Sequence, residues 1–318
     1  MKRTLALLSL LLLVAVTLSL AACGGGGETS ESVSESVSES KSESVSESES
    51  ESGSESESES ESEEIPPMYV SPSEAVDIYE AFTEESVEYA DGTLLYRQFL
   101  PEGYSENYDY PVFLFLHGAG ERGDDNALQM KNVVQTLFND VNSPLYGAIV
   151  LCPQCPADKR WVETDWAAGN YDTDEVGESS AMQGIWAMLE KVMDTYAVDG
   201  SRLYVMGLSM GGIGTWDLIM RNPGFFAAAA PICGAADPSC AADLVDMPIY
   251  TVHGDADGSV PTAGTREMVA AIRDAGGEMI HYEELPGYGH NVWDYAASEA
   301  EVEGMGLIEW LFSHSLEG

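Results

Sequence analysis

The sequence predicts an α/β fold with a mostly parallel central sheet and helices on both of its faces. Two observations indicate this fold. Short, continuous apolar runs occur at 111–118, 147–153 and 202–209, a composition typical of strands that are covered on both faces. Segments with apolar residues at helical spacing separate such runs, and strands that alternate with helices favour parallel pairing through right-handed crossovers.

The first half of the folded region predicts a helix, a hairpin and two buried strands. Residues 73–82 place apolar side chains at helical spacing and predict a helix. Residues 86–101 alternate around an Asp-Gly turn, which predicts a β-hairpin. The apolar runs at 111–118 and 147–153 then predict two strands of the sheet.

The second half continues the alternation of strands and helices. Residues 180–198 repeat apolar side chains every three or four positions and predict a long helix. A proline ends the predicted helix 211–223, and a glycine ends the predicted helix 263–277. In order, the remaining predicted elements are strand 202–209, helix 211–223, strands 226–234 and 248–255, helix 263–277, strand 279–285 and helix 304–314.

The N-terminus has a composition different from the rest of the chain. Two basic residues and an apolar segment precede Leu-Ala-Ala-Cys at 20–23, which is the pattern of a secretory signal over residues 1–22. The tetrapeptide resembles a bacterial lipobox, which implies a lipid on Cys23 and an extracellular, membrane-anchored protein. An ordinary cleaved signal with an unmodified cysteine is the alternative. Residues 23–64 are rich in Gly, Ser and Glu, so we expect a disordered tether there.

Acidic residues dominate the chain. The 318 residues include 55 acidic and 13 basic side chains, with a formal net charge of −42. Residues 65–318 carry 41 of the acidic and 10 of the basic side chains, and this segment is long enough for one well-buried α/β domain. Such a charge repels nucleic acid and anionic membrane surfaces. We therefore expect no nucleic-acid partner, and membrane contact only through Cys23.

A candidate nucleophile lies between a predicted strand and a predicted helix. Residues 207–211 read Gly-Leu-Ser-Met-Gly, and a serine in such a turn presents its hydroxyl above the sheet. The alternative is a serine in a plain glycine-rich turn. Ser209 needs a general base to react near neutral pH. Of the five histidines, only His290 combines a loop position after the last predicted strand with the expected chain order.

The base needs a carboxylate, and the transition state needs backbone donors. Asp255 and Asp257 both stand where the strand 248–255 ends, and the residues alone do not separate them. One is expected to hold the loop and the other to face the histidine. The amide of Met210 follows the serine directly, and the amide of Ala119 is the second candidate donor for an oxyanion hole.

From about residue 86 onwards the chain resembles the esterase branch of the α/β-hydrolases. This group contains feruloyl and cinnamoyl esterases, acetyl xylan esterases, polyhydroxybutyrate-depolymerase-like proteins and "predicted peptidase" esterases related to the prolyl oligopeptidase catalytic domain. The segments that carry the resemblance are FLFLHGAGERGDDN, IVLCPQCPADKRWVETDW, LYVMGLSMGGIGTWDL, AAAAPICG, HGDADGSVP and GYGHNVW.

The resemblance implies an α/β-hydrolase fold and a catalytic triad of Ser209, Asp257 and His290. In that family the aspartate of Asp-x-x-Val-Pro is the triad acid, which corresponds here to Asp257 of DGSVP. Gly258 stands where the family often has proline, and the acid itself is retained. No metal or organic cofactor is expected for this chemistry.

Three tryptophans are candidates for substrate contact. Trp161 and Trp166 follow the strand 147–153, and Trp293 follows the proposed base by three residues. Each could form an apolar wall for an aryl acid or a platform for a sugar ring, and ordinary packing is the alternative. We therefore expect a serine esterase that acts on a small ester or oligosaccharide ester, with feruloyl or acetyl esters of plant cell-wall carbohydrate as the substrate class.

Two other functions are compatible with the sequence. The first is a serine peptidase of the prolyl oligopeptidase type that cleaves small peptides. The second is a surface lipoprotein that binds glycans on a hydrolase-like scaffold without catalysis. Export permits disulfides among Cys152, Cys155, Cys233 and Cys240, and the sequence leaves their pairing open.

Overall fold

The computed structural model describes residues 71–317. The predicted signal over 1–22, the lipidation site at Cys23 and the tether over 23–64 lie outside the described residues. Within the described residues, no helix is long and apolar enough to span a bilayer.

The core of the fold is an eight-stranded sheet with the strand order β1-β2-β4-β3-β5-β6-β7-β8. β1 pairs antiparallel with β2, and β2 pairs antiparallel with β4; the strands from β4 across to β8 are parallel. The bounds are β1 Thr83–Tyr89, β2 Gly92–Phe99, β3 Tyr110–Leu116, β4 Ile149–Gln154, β5 Val198–Leu208, β6 Ala228–Ile232, β7 Ile249–Gly254 and β8 Ile280–Leu285. A separate two-stranded ribbon joins β9 Glu301–Val302 to β10 Met305–Gly306.

Helices cover both faces of this sheet. Their bounds are α1 Ile78–Ala81, α2 Val133–Leu137, α3 Ser180–Thr195, α4 Met210–Arg221, α5 Thr262–Asp274, α6 Trp293–Ser298 and α7 Leu307–Phe312. Apolar side chains of α3, α4 and α5 form one buried cluster, and those of α1, α2, α6 and α7 form the other. Alternate residues of β3 enter the two clusters, because successive side chains of a strand point to opposite faces. The predicted fold class is confirmed.

The sheet strands and the three long helices match the predicted segments within a few residues, but the first helix does not. Residues 73–82 were expected to be helical, whereas α1 spans only Ile78–Ala81. The side chain of Asp77 accepts a hydrogen bond from the amide of Tyr79, so the helix begins after Asp77. Phe82 is already extended and leads into β1.

The four cysteines of the described region are free thiols. Cys152 and Cys155 lie in different apolar clusters, on opposite faces of the sheet. Burial raises the pKa of both thiols, and that of Cys233, well above the usual range. They therefore contribute to packing as neutral side chains.

Candidate active site

Ser209 lies at a sharp turn between a strand and a helix. β5 ends at Leu208 and α4 begins at Met210, and Ser209 between them has φ 56° and ψ −117°. Positive φ in a residue other than glycine is strained, and this strain at a strand-to-helix turn is typical of a nucleophile elbow. The serine therefore stands at the carboxyl edge of the sheet, at the N-terminus of α4.

The two glycines of the pentapeptide are required by close packing. A Cβ atom on Gly207 would overlap the carbonyl oxygen of Gly211. A Cβ atom on Gly211 would overlap the carbonyl oxygen of Leu116, at the end of β3. Because glycine has no Cβ, α4 can begin in direct contact with the neighbouring strand.

His290 connects Ser209 to an aspartate. Its Nε2 lies 2.7 Å from Ser209 Oγ, and its Nδ1 lies 2.6 Å from Asp257 Oδ2. Asp257 follows β7 and His290 follows β8, so the three side chains reach one edge of the sheet from three different strands. In the neutral imidazole, Nδ1–H donates to the carboxylate and Nε2 accepts from the serine hydroxyl.

The carboxylate of Asp257 is fully buried and accepts four hydrogen bonds. Its Oδ1 accepts from the amides of Ser259 and Val260 at 2.7 and 3.0 Å, and its Oδ2 accepts from His290 and His253. Burial alone would raise the pKa of this carboxyl, but the four hydrogen bonds outweigh burial and hold the pKa well below its usual range. Asp257 is therefore ionised at neutral pH.

His253 is a second imidazole on the same carboxylate. It is fully buried at the end of β7, with Nε2 at 3.0 Å from Asp257 Oδ2 and Nδ1 at 2.7 Å from Thr265 Oγ1. No pattern in the sequence predicts a role for His253 in the site. The one feature of the sequence that could indicate such a role is the position of His253, four residues before Asp257. His253 holds the aspartate independently of His290.

Asp255 has a separate role in the same loop. Its Oδ1 accepts from the amide of Gly287 at 2.6 Å, and the amide of Ala256 donates to the carbonyl of Tyr288 at 2.9 Å. These bonds tie the loop after β7 to the loop that carries His290. The sequence alone does not show which of the two aspartates faces the histidine. In the structure, Asp257 contacts His290, whereas Asp255 contacts the amide of Gly287.

Each candidate oxyanion donor is the first residue of a helical segment. Met210 is the first residue of α4, and Ala119 is the first residue of the 3-10 turn Ala119–Glu121. The first amides of a helical segment have no partner inside that segment, and they carry the positive end of its dipole. Ala119 and Ser209 line the same cavity.

His117 shapes the loop that contains Ala119. Its Nε2 accepts from the amide of Cys155 at 2.9 Å, so Nδ1 carries the proton and donates to the carbonyl of Gly118 at 2.6 Å. Burial lowers the pKa of His117 to about 4, which keeps the ring neutral. The ring is a structural support for the loop that follows β3.

A cavity of about 360 Å³ opens beside Ser209. Trp166 and Trp293 form part of its wall, and the rings of His290 and Trp293 meet edge to face with centroids 5.5 Å apart. Asn132, which also lines the cavity, has a strained φ of 63° and was not anticipated from the sequence. The other lining residues are Gly118, Ala119, Gly120, Glu121, Leu208, Ser259 and Val260.

The expectation that Trp161 contacts substrate is wrong. Its side chain is completely buried, and its Nε1 donates to the carbonyl of His117 at 3.1 Å. The ring packs beside Gly214 of α4, where a Cβ atom would come within 2.8 Å of the Trp161 Cβ. Trp161 therefore belongs to the core that supports the site. Trp166, five residues later, lines the cavity instead.

Within residues 71–317, no group of three or more His, Cys, Asp or Glu side chains is arranged to hold a metal ion. The polar groups beside Ser209 are instead the imidazole of His290 and, behind it, the carboxylate of Asp257. Together with the strand order and the elbow, this arrangement defines an α/β-hydrolase.

Comparisons with known proteins identify the family. The family model described as "Putative esterase" matches residues 93–300, and the chain belongs to this esterase family. A solved structure described as a thermostable esterase superposes with a TM-score of 0.66 at 32% identity, covering 75% of this chain and 64% of that one. The comparisons thus place the chain in a family of esterases with an α/β-hydrolase fold.

Two curated relatives match shorter segments. Esterase LipQ of Mycobacterium tuberculosis is 39% identical over 94 residues, which are 27% of this chain and 20% of that protein. Feruloyl esterase B of Thermothelomyces thermophilus is 30% identical over 130 residues, which are 40% of each protein. The matched segment thus spans two fifths or less of the length of these two relatives.

Proposed function

We propose that this protein is a secreted, lipid-anchored serine esterase that hydrolyses feruloyl or acetyl esters of plant cell-wall carbohydrate. The observation that carries the proposal is the hydrogen-bonded series from Ser209 through His290 to Asp257, at 2.7 and 2.6 Å, beside an open cavity. These three side chains are assigned as nucleophile, general base and orienting acid.

In the acylation step, Ser209 Oγ attacks the ester carbonyl carbon. His290 Nε2 takes the hydroxyl proton as the new bond forms, and the ionised Asp257 stabilises the resulting imidazolium through Nδ1–H. When the tetrahedral intermediate collapses, the bond to the alcohol oxygen breaks and Nε2–H returns its proton to that oxygen. The acyl group remains on Ser209.

Deacylation repeats this sequence with water as the nucleophile. His290 removes a proton from water, the hydroxyl adds to the acyl carbon, and the proton then returns to Ser209 Oγ as the acid departs. In both steps the carbonyl oxygen acquires negative charge. The amides of Met210 and Ala119 are assigned to bind it, since both residues begin helical segments, Ala119 lines the cavity and Met210 directly follows Ser209, which also lines it.

The substrate class is supported by the cavity wall and by one relative. Trp166 and Trp293 offer flat apolar surfaces to an aryl acid or a sugar ring. The relative from Thermothelomyces thermophilus is named a feruloyl esterase. The extracellular location is supported by the secretory pattern and by Leu-Ala-Ala-Cys at 20–23.

The test is an ester panel assayed with the wild-type protein and with Ser209→Ala. Methyl ferulate, acetylated xylan, a short aliphatic nitrophenyl ester, a hydroxyalkanoate ester and a small peptide are compared by kcat/KM. We expect the feruloyl or acetylated substrates to be preferred and Ser209→Ala to lose turnover while keeping its circular dichroism spectrum. Turnover by Ser209→Ala would refute the assignment of the nucleophile, and a preference for the peptide would refute the substrate class.

A further inference from the structure

Two arginines contact the ring of Trp166, which lines the cavity beside Ser209. The guanidinium carbon of Arg160 lies 4.5 Å from the ring centroid, and that of Arg122 lies 5.8 Å from it. Both distances are within the range of cation–π attraction. We call Trp166, Arg122 and Arg160 the Trp166 subsite.

These arginines differ from most other basic residues of the domain. The described residues include ten Lys and Arg side chains, of which six form ion pairs with carboxylates. Across residues 71–317, neither Arg122 nor Arg160 has a carboxylate within ion-pair distance. In a domain with 41 acidic side chains, two such cations on one ring are an unusual concentration of available positive charge.

The subsite also contains hydrogen-bond donors without acceptors. Arg122 uses Nε and Nη1 on the carbonyls of Ala119 and Lys159, and Arg160 uses Nη1 on the carbonyl of Thr164. The remaining guanidinium N–H groups have no partner among the described residues. The indole Nε1 of Trp166 is also buried without an acceptor. Backbone contacts thus hold two guanidinium groups in place while leaving donors for a ligand.

Nearby carboxylates limit where an anion can bind. Glu121 lines the cavity and would repel an anion on its side. Glu163 accepts from the amide of Arg160, and Asp165 accepts from the amide of Ala167, so both are engaged by the backbone. The favourable position for negative charge is therefore the Trp166 wall rather than the Glu121 wall.

We propose that the Trp166 subsite binds a carboxylate carried by the substrate, so that the preferred esters are anionic, as in an oligosaccharide that contains a uronic acid. This inference rests on the proposed function, since it places the reacting ester at Ser209 in the cavity that Trp166 lines, and the carboxylate at the arginines that contact the Trp166 ring. Planar guanidinium groups bind carboxylates through paired hydrogen bonds, and the indole N–H supplies one more donor. Specificity then arises at the subsite, and the chemistry at Ser209 is the same for neutral and anionic esters.

The test compares esters that differ by one carboxylate. Phenyl acetate and 3-acetoxybenzoate differ on the alcohol side, whereas methyl hexanoate and monomethyl adipate differ on the acyl side. For each pair, the ratio of kcat/KM for the anionic ester to kcat/KM for the neutral ester is measured at low salt. Intrinsic reactivity cancels when this ratio is compared between variants.

Arg160→Gln is the informative variant, and Arg273→Gln is its control. Arg273 likewise lacks a carboxylate partner in the described structure, but it bonds the carbonyl of Ile280 away from the cavity. We expect Arg160→Gln to lower the ratio about threefold or more for at least one pair, and Arg273→Gln to leave it unchanged.

The outcomes separate this inference from the proposed function. Ratios that are unchanged in Arg160→Gln for both pairs would overturn the inference, even if every ester still required Ser209. Equal losses in Arg160→Gln and Arg273→Gln would also overturn it, because they would show a general effect of charge. Turnover that persists in Ser209→Ala would instead overturn the proposed function.

Discussion

His253 and His290 bind the same oxygen of Asp257, at 3.0 and 2.6 Å. The first ring is fully buried and bonds Thr265 on its other side, whereas the second reaches Ser209. The carboxylate that contacts His290 is therefore also held by a second imidazole. We infer that His253 is a positioning residue, because it acts on the reaction only through Asp257.

Replacing His253 with glutamine should weaken the site without removing a reacting atom. We expect kcat to fall about tenfold and KM to change little, since the carboxylate is no longer held at the angle that orients His290. His281→Gln is the control, because His281 lies on β8 and contacts Glu303 rather than Asp257. Steady-state kinetics and a pH–rate profile of both variants provide the measurement. An effect of equal size in both would argue against positioning.

Asp257 should also contribute to stability in a way that depends on pH. Its pKa in the fold lies below its usual value of about 4, so the fold favours the ionised form. This contribution is present above about pH 4 and is lost as the pH falls towards the lowered pKa.

The comparison of wild type with Asp257→Asn isolates this contribution. The wild type should unfold with a free energy roughly 1 to 3 kcal/mol higher near pH 7, and the difference should narrow in acid. Urea unfolding at several pH values measures it. A difference that grows as the pH falls would contradict the assignment of an ionised, hydrogen-bonded carboxylate.

Much of the site could be predicted because its parts follow buried strands. The apolar runs that predict β5, β7 and β8 also place Ser209, Asp257 and His290 after their carboxyl ends, at one edge of a parallel sheet. Chain order and strand position thus carry most of the three-dimensional information. The choice between Asp255 and Asp257 required a family resemblance, because both follow the same strand.

Other features depend on packing that no local pattern encodes. Trp161 and Trp166 lie in one irregular segment without periodicity, so the sequence does not reveal which ring faces the core. No periodic pattern in the sequence marks the short helices α2 and α6, which have five and six residues. The cations of the Trp166 subsite are separated by 38 positions and meet only through the fold.

The elbow predicts a sharp difference between two glycine substitutions. Gly211→Ala should destabilise the protein by about 3 kcal/mol or more and abolish activity, because a Cβ atom there overlaps the Leu116 carbonyl. Gly200→Ala is the matched change, since no atom lies within 4 Å of the Cβ position. Thermal unfolding and ester turnover test both. Normal stability of Gly211→Ala would contradict the close approach of α4 to β3.

Substitution of Trp161 should mainly affect stability, whereas substitution of Trp166 should mainly affect substrate binding. Trp161→Ala removes a fully buried ring and should cost roughly 3 to 5 kcal/mol of unfolding free energy. Trp166→Ala removes a half-buried ring from the cavity wall, so it should raise KM for an aryl ester more than it lowers the melting temperature. Calorimetry and kinetics on methyl ferulate measure these effects. A reversed pattern would mean that Trp161, and not Trp166, forms the binding wall.

The proposed lipobox at 20–23 predicts that Cys23 carries a lipid that anchors the protein to a membrane. In a bacterial host, the wild type should incorporate radiolabelled palmitate and partition with membranes, because the proposal places a lipid on Cys23. Cys23→Ala should lose the label, and Cys240→Ala, which removes a free thiol of the catalytic domain, should retain it. Ester turnover by the purified proteins should be the same in all three, since residue 23 precedes a long Ser/Glu-rich tract. Labelling that survives in Cys23→Ala would contradict the anchor, and an unlabelled, secreted wild type would favour an ordinary cleaved signal.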